Sequence, residues 1–226
     1  MIKNSEILDQ IISGNRLFVE QHGEEYFQEY SQKQTPFITL VSCSDSRVPL
    51  NAILPDTVNR IFSIQNIGNQ ILSSQGSIDF GIYHLRTPIL MILGHSDCGA
   101  IKAYLNGFEN ESYNIRVELD FLNRLVSLSG NLTKLKENVS LAIEHNIDYQ
   151  VNIACKKYRE LVKSDKLAVI GAFYDFTNDF GKGLGRVIIV NVNKKKRRED
   201  IFNLPLFQKI REENKEIFID RLSFTL

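Results

Sequence analysis

No stretch of the 226-residue sequence approaches the roughly 18 consecutive apolar residues that cross a bilayer, which argues against a membrane-spanning helix. Neither charge sign is in excess, with 27 Lys and Arg against 27 Asp and Glu. That balance gives no support for a nucleic-acid or membrane-surface partner. Cysteine is scarce: Cys43, Cys98 and Cys155 are the whole supply. An odd, small count argues against a disulfide framework in a reducing compartment and leaves metal binding or catalysis open. Internal repeats and low-complexity segments are absent, which excludes repeat architectures. The N-terminal stretch MIKNSEILDQIISGNRLF interleaves charge with apolar residues and lacks the unbroken apolar core of a signal peptide. A cytoplasmic protein is expected.

What is present is an ordinary globular composition, 43% hydrophobic and 24% charged, long enough for one large domain or two small ones. Apolar residues at helical spacing predict a helix over 4–22, with Gly23 as its stop. Apolar runs predict strands at 36–42, 59–66, 87–94, 166–176 and 185–193. Helices are predicted over 73–86, from about Gly99, over 115–129, and over 134–163 as one long helix or two joined ones. The run KKKRRED (194–200) reads as a solvated turn opening a final helix, and EIFIDRLSF as adding a short strand. Apolar strands alternating with helices imply an α/β fold: a central, mainly parallel sheet flanked by helices. The expected organisation is one domain over 1–226, with an N-terminal helical arm to about residue 35 and a C-terminal extension from about 194.

Two strand ends carry chemistry. LVSCSDSRVP (40–49) ends an apolar run on Cys43 and follows with Asp45 and Arg47. GHSDCGA (94–100) ends another run with His95 and Cys98. In a parallel sheet the loops after the strands lie on one edge, where ligands usually bind. If the two strands are neighbours, two thiolates and one imidazole surround a point, as in an open Cys₂His zinc site. The bland alternative, two small buried thiols and a satisfied core histidine, fits the same spacing. Asp45 and Arg47 shift the balance, because a carboxylate with a permanent cation beside it suits acid–base work.

Together CSDSRVP, QNIGN (65–69) and GHSDCGA resemble the β-class carbonic anhydrase family. The likeness extends from GNRLF (14–18) to GAFYDF (171–176), roughly residues 10 to 192. It implies an α/β fold, one zinc ion per chain, and a homodimer with sites at its interface, often within larger assemblies. It also implies zinc ligation by Cys43, His95 and Cys98, with Asp45 and Arg47 as the catalytic dyad. The implied reaction is reversible hydration of carbon dioxide to bicarbonate by zinc-bound hydroxide. Ionised Asp45 then orients the nucleophile, and Arg47 holds Asp45 ionised and away from the metal.

The resemblance also bears on subtype. Bacterial members with a bicarbonate-induced inactive state carry a tryptophan and an arginine where this chain has Leu40 and Gln65. The plant-type subgroup is closer. Its substrate-binding glutamine corresponds to Gln34, nine residues before Cys43, and acts across the dimer interface. Phe62 and Ile67 match its apolar pocket, Phe80 replaces a tyrosine, and Gly99 matches a glycine whose backbone N–H lies near substrate. Cys155 reads as a buried small hydrophobe. Two other readings share the same residues: hydrolysis of carbonyl sulfide or carbon disulfide, and a zinc-stabilised scaffold without turnover.

Overall fold

The computed structural model describes residues 2–122 and 132–222. The chain divides into two compact units, Met1–Thr35 and Pro36–Leu226.

The first unit holds two helices, α1 (Asn4–Gln21) and α2 (Glu24–Tyr30). The backbone N–H of Lys3 donates to Glu6 at 3.0 Å, fixing the start of α1. Gly23 does stop α1. It also serves as the N-cap of α2, which the sequence reading missed, and Glu24 and Glu25 suit that helix's positive end. None of the residues of α1 is buried, and Ile7, Leu8, Ile11, Ile12, Leu17 and Phe18 are all exposed.

The second unit is built on a five-stranded sheet in the order β2-β1-β3-β4-β5. Its strands are β1 (Ile38–Cys43), β2 (Ile61–Asn66), β3 (Ile89–His95), β4 (Ala168–Asp175) and β5 (Arg186–Val192). All neighbours run parallel except β4 and β5, which are antiparallel. Every residue of β1 is buried and nearly all of β3, as continuous apolar sequence requires of strands covered on both faces. The edge strand β2 shows mixed burial instead.

The helices are more broken than their periodicity suggests. The helix expected over 73–86 is a 3₁₀ turn, a short α segment α3 (Gln75–Asp79) and a π turn over Phe80–His84. Its last amide, Leu85, reaches back to Phe80, and Arg86 leaves the helix at φ 58°. Beyond β3 come α4 (Gly99–Asn106) and α5 (Tyr113–Asp120). The helix expected over 115–129 ends early, and residues 123–131 lie outside the described ones.

The stretch 134–163 is three helices: α6 (Leu132–Glu137), α7 (Val139–Lys157) and α8 (Arg159–Lys163). Asn138 interrupts it, its side chain capping the Leu141 amide at 3.0 Å. The long helix α7 lies close against the sheet at two glycines. A Cβ on Gly94 or Gly171 would come within 2.7 Å or 2.6 Å of Ile147.

After β5, α9 (Arg198–Phe202) and α10 (Glu212–Phe218) pack on the sheet's antiparallel end. The described part of EIFIDRLSF is not the expected strand, because α10 occupies its beginning. Ile219 alone bridges to Ile189, and residues 223–226 lie outside the described ones. Arg221 ties this segment to α7 through Asp148 at 3.0 Å and Glu144 at 3.2 Å. No described helix is long and apolar enough to cross a membrane.

Candidate metal centre

Parallel pairing puts Ser42 of β1 opposite Leu93 of β3, so both strands end at the same edge of the sheet. Cys43 closes β1 and His95 closes β3. A short turn with Asp97 at φ 56° then sets Cys98 as the N-cap of α4. The candidate ligand atoms of Cys43, His95 and Cys98 all lie within 4.8 Å of one another, and the two sulfurs are 4.0 Å apart. All three side chains are buried.

The donor set fits a zinc ion. His95 Nδ1 lies 2.8 Å from the Ser96 carbonyl oxygen. A carbonyl only accepts, so Nδ1 carries the proton and Nε2 keeps its lone pair. Nε2 is buried and has no geometrically good hydrogen-bond partner among the described residues. An unpartnered imidazole nitrogen beside two thiols is an arrangement that a thiophilic divalent ion satisfies. The sulfurs are also prepared for charge. The Gly68 N–H donates to Cys43 Sγ at 3.5 Å, and the Ala100 and Ile101 amides of α4 reach the Cys98 sulfur. The Cys98 thiol's hydrogen bond, opposed by burial, pulls Cys43 down to about 4. The same bond, reinforced by burial, drives Cys98 well above its ordinary value. The two directions describe one proton shared between two sulfurs.

Asp45 stands beside this group, with Oδ2 3.9 Å from His95 Nε2. Arg47 grips it with a fork: Nε donates to Oδ1 at 2.9 Å and Nη2 to Oδ2 at 2.7 Å. The Arg47 backbone amide adds a third bond to Oδ1, also at 2.9 Å. These bonds hold the Asp45 carboxyl well below the usual carboxylate range, so it stays ionised. Arg47 is held in turn by Asp97, whose carboxylate takes Nη1 at 3.2 Å and whose carbonyl takes Nη2 at 3.2 Å. Lys102 balances Asp97 from the other side at 2.6 Å.

The expected pocket residues separate into two places. Ile67 is half-buried and lies between Asn66, the register partner of Cys43, and Gly68, whose amide meets the Cys43 sulfur. Gly99 opens α4, where an added Cβ would meet no protein atom. The Phe62 and Phe80 rings meet tilted by 32°, with centroids 5.8 Å apart. In the sheet register Phe62 faces Thr39, four rows back from Cys43 opposite Asn66, or about 13 Å along the strand. Gln34 belongs to the first unit, where it is exposed and outside both helices.

Sequence reasoning missed several residues around the centre. Asp97 is the second partner of Arg47. Ser96 donates its hydroxyl to the fully buried Asp175 at 3.2 Å. Phe176 lies against both His95 and Arg47. Asn146 and Gln150 of α7 brace the loop after β2 by bonds to Gly68 O at 2.9 Å and Ile71 N at 2.9 Å. The motif GAFYDF was a signal for Asp175 and Phe176, but it carried no role.

Residues 38–182 match the family model described as carbonic anhydrase. Among curated relatives, the chain is similar to a carbonic anhydrase of Emericella nidulans, 33% identical over 104 residues, covering 43% of this chain and 46% of that protein. It is also similar to one from Helicobacter pylori, 37% identical over 95 residues, covering 37% and 43%. The chain thus spans less than half the length of these relatives. A solved β-carbonic anhydrase of Aspergillus fumigatus superposes with a TM-score of 0.69, at 24% identity over 85% of this chain and 93% of that one, a likeness of fold.

Proposed function

This chain belongs to the carbonic anhydrase family, and we propose that it interconverts carbon dioxide and bicarbonate with one zinc ion per chain. One observation carries the reading. A buried Cys₂His cluster with an unpartnered Nε2 has, 3.9 Å away, a carboxylate gripped by an arginine.

Cys43, His95 and Cys98 would hold the zinc. The chemistry that zinc supplies when bound is the acidification of a water, so that a nucleophile exists near neutral pH. Asp45, held ionised by Arg47, would accept a hydrogen bond from a group at the edge of the cluster and so orient it toward the substrate. Arg47 occupies both oxygens of Asp45 and so keeps the carboxylate from swinging into the cluster. Ile67 supplies apolar wall for a small apolar substrate, and the open space at Gly99 leaves its backbone approachable.

The working unit is a homodimer or a larger homo-oligomer. Phe62 and Phe80 sit back from the ligand edge of their own chain, which suits pocket residues lent to a neighbour's site, as Gln34 would be. The exposed apolar residues of α1 suit an arm covered by a second copy. A reducing, cytoplasmic setting, in which Cys43 and Cys98 stay available to hold zinc, suits the site.

The test is stopped-flow carbon dioxide hydration on zinc-loaded protein between pH 6.5 and 9, with sedimentation for the oligomer. Fast turnover with one zinc per chain is expected. Full zinc occupancy with no turnover at any pH would overturn the reading.

A further inference from the structure

The segment that closes β4 has a structural task that the reaction scheme leaves unused. Tyr174 pairs in register with His95, and its carbonyl accepts the Ser96 amide at 3.0 Å. Asp175, fully buried, accepts the Ser96 hydroxyl at 3.2 Å and the amides of Asp179 and Phe180 at 2.9 Å and 3.0 Å. The Phe176 amide donates to Ser96 Oγ at 3.1 Å. The chain is therefore folded back and fixed on both sides of Phe176.

The Phe176 ring then meets both halves of the centre. It lies nearly parallel to the His95 imidazole, 25° between planes and 5.9 Å between centroids. The Arg47 guanidinium carbon lies over the same ring at 4.9 Å. Arg47 spends its edge donors on Asp45 and Asp97, so its flat face is what remains to be placed. An aromatic ring places that face by cation–π attraction without competing for the donors. For His95, the bond from Nδ1 to Ser96 fixes one point of the ring, and the stack limits its tilt.

We infer that Phe176 is a positioning residue that sets the plane of the His95 imidazole and the seat of the Arg47 fork with one side chain. It touches no substrate and acts only through those two residues. The inference rests on the carbonic anhydrase reading for its turnover readout, and on zinc affinity independently of it.

The experiment compares Phe176→Leu, which keeps apolar bulk, with Phe176→Tyr, which keeps the π face. Three quantities are measured: zinc affinity by chelator competition, carbon dioxide kcat/KM at saturating zinc, and thermal unfolding of the metal-free proteins. Phe176→Leu should bind zinc about tenfold or more weakly, in the range expected when a ligand's support is lost. It should also lose about tenfold in kcat/KM at saturating zinc through the loosened dyad. Phe176→Tyr should restore both, while the metal-free variants unfold together. Unchanged zinc affinity in Phe176→Leu, or a Tyr variant as defective as the Leu variant, would overturn the inference. Weakened zinc binding with full turnover at saturating zinc would overturn its Arg47 half. If the wild-type chain shows no turnover, the functional reading fails by itself and the zinc measurement still decides the role of Phe176.

Discussion

Oδ2 of Asp45 lies 3.9 Å from Nε2 of His95 and 2.7 Å from Nη2 of Arg47. The carboxylate is thus near enough to the cluster to join it and is held out by the arginine. Arg47→Ala should release it, dropping carbon dioxide turnover by about 100-fold or more, in line with losing a charge-assisted bidentate grip on a catalytic group. Zinc content should stay at one per chain. Arg47→Lys should fall between, because an ammonium is a point charge and cannot reproduce the fork. Stopped-flow rates paired with metal analysis check this. Loss of zinc from Arg47→Ala would contradict it.

The two ligand sulfurs predict an unequal release of protons. Cys43 is pulled down to about 4 and Cys98 is driven well above its ordinary value. At pH 8 the metal-free pair therefore holds one proton. Zinc uptake should expel about one proton from the thiols rather than two. Titration calorimetry in buffers of different ionisation enthalpy, run with saturating azide in place of the zinc-bound water, reads that number.

The close approach of α7 to the sheet predicts a steric cost at Gly171. An alanine there would place its Cβ 2.6 Å from Ile147 Cγ2 and 2.9 Å from Val151 Cγ2, both on buried residues. Gly171→Ala should destabilise by about 1–3 kcal/mol, the usual cost of overpacking. Adding Ile147→Val trims a different methyl, Cδ1, and should not rescue it. For Gly94→Ala, whose Cβ meets that Cδ1 at 2.7 Å, the same Ile147→Val change should recover part of the loss. Urea midpoints separate the two cases.

Glu144 predicts a pH-dependent stability. Burial, only partly offset by Arg221, raises its carboxyl from an ordinary 4.5 to about 7. A carboxyl raised on folding binds its proton more tightly in the native state. Its contribution is therefore fully present below about pH 4.5 and is lost as pH rises through about 7. That interval corresponds to up to about 3 kcal/mol. Glu144→Gln has no such proton, so wild-type stability relative to the variant should fall between pH 4.5 and 8. Chemical denaturation at several pH values gives the difference, in which titrations common to both proteins cancel.

The strands were legible because burial on both faces leaves continuous apolar runs such as ITLVSC and ILMILGH. Only their ends differ, by one or two residues. The helix breaks were not legible, since Asn138 acts through its own capping geometry and the π turn at Phe80–His84 leaves no periodic mark. At the metal centre, Cys43, Asp45, Arg47, His95 and Cys98 stood out because each loop packs its chemistry into a few residues. Ser96, Asp97, Asp175 and Phe176 did not. Their partners lie about 50 to 130 positions away, and no spacing rule connects residues that meet only once the sheet has paired. Among the described residues, EIFIDRLSF gives α10 at its beginning and a single bridge from Ile219 to β5, and its end lies outside them.

That dependence on distant pairing also constrains how the protein comes into being. Cys43 and Cys98 are separated by 55 residues and meet only through the β1–β3 ladder. An unfolded chain offers zinc His95 and Cys98 as a local pair, without the second sulfur. Long-range strand pairing is the slow part of assembling such a topology. The socket is thus a late product of folding rather than its seed, and the metal rewards a sheet already built. A chain that mispairs β1 or β3 forfeits zinc altogether, so metal content in a preparation counts the correctly assembled molecules.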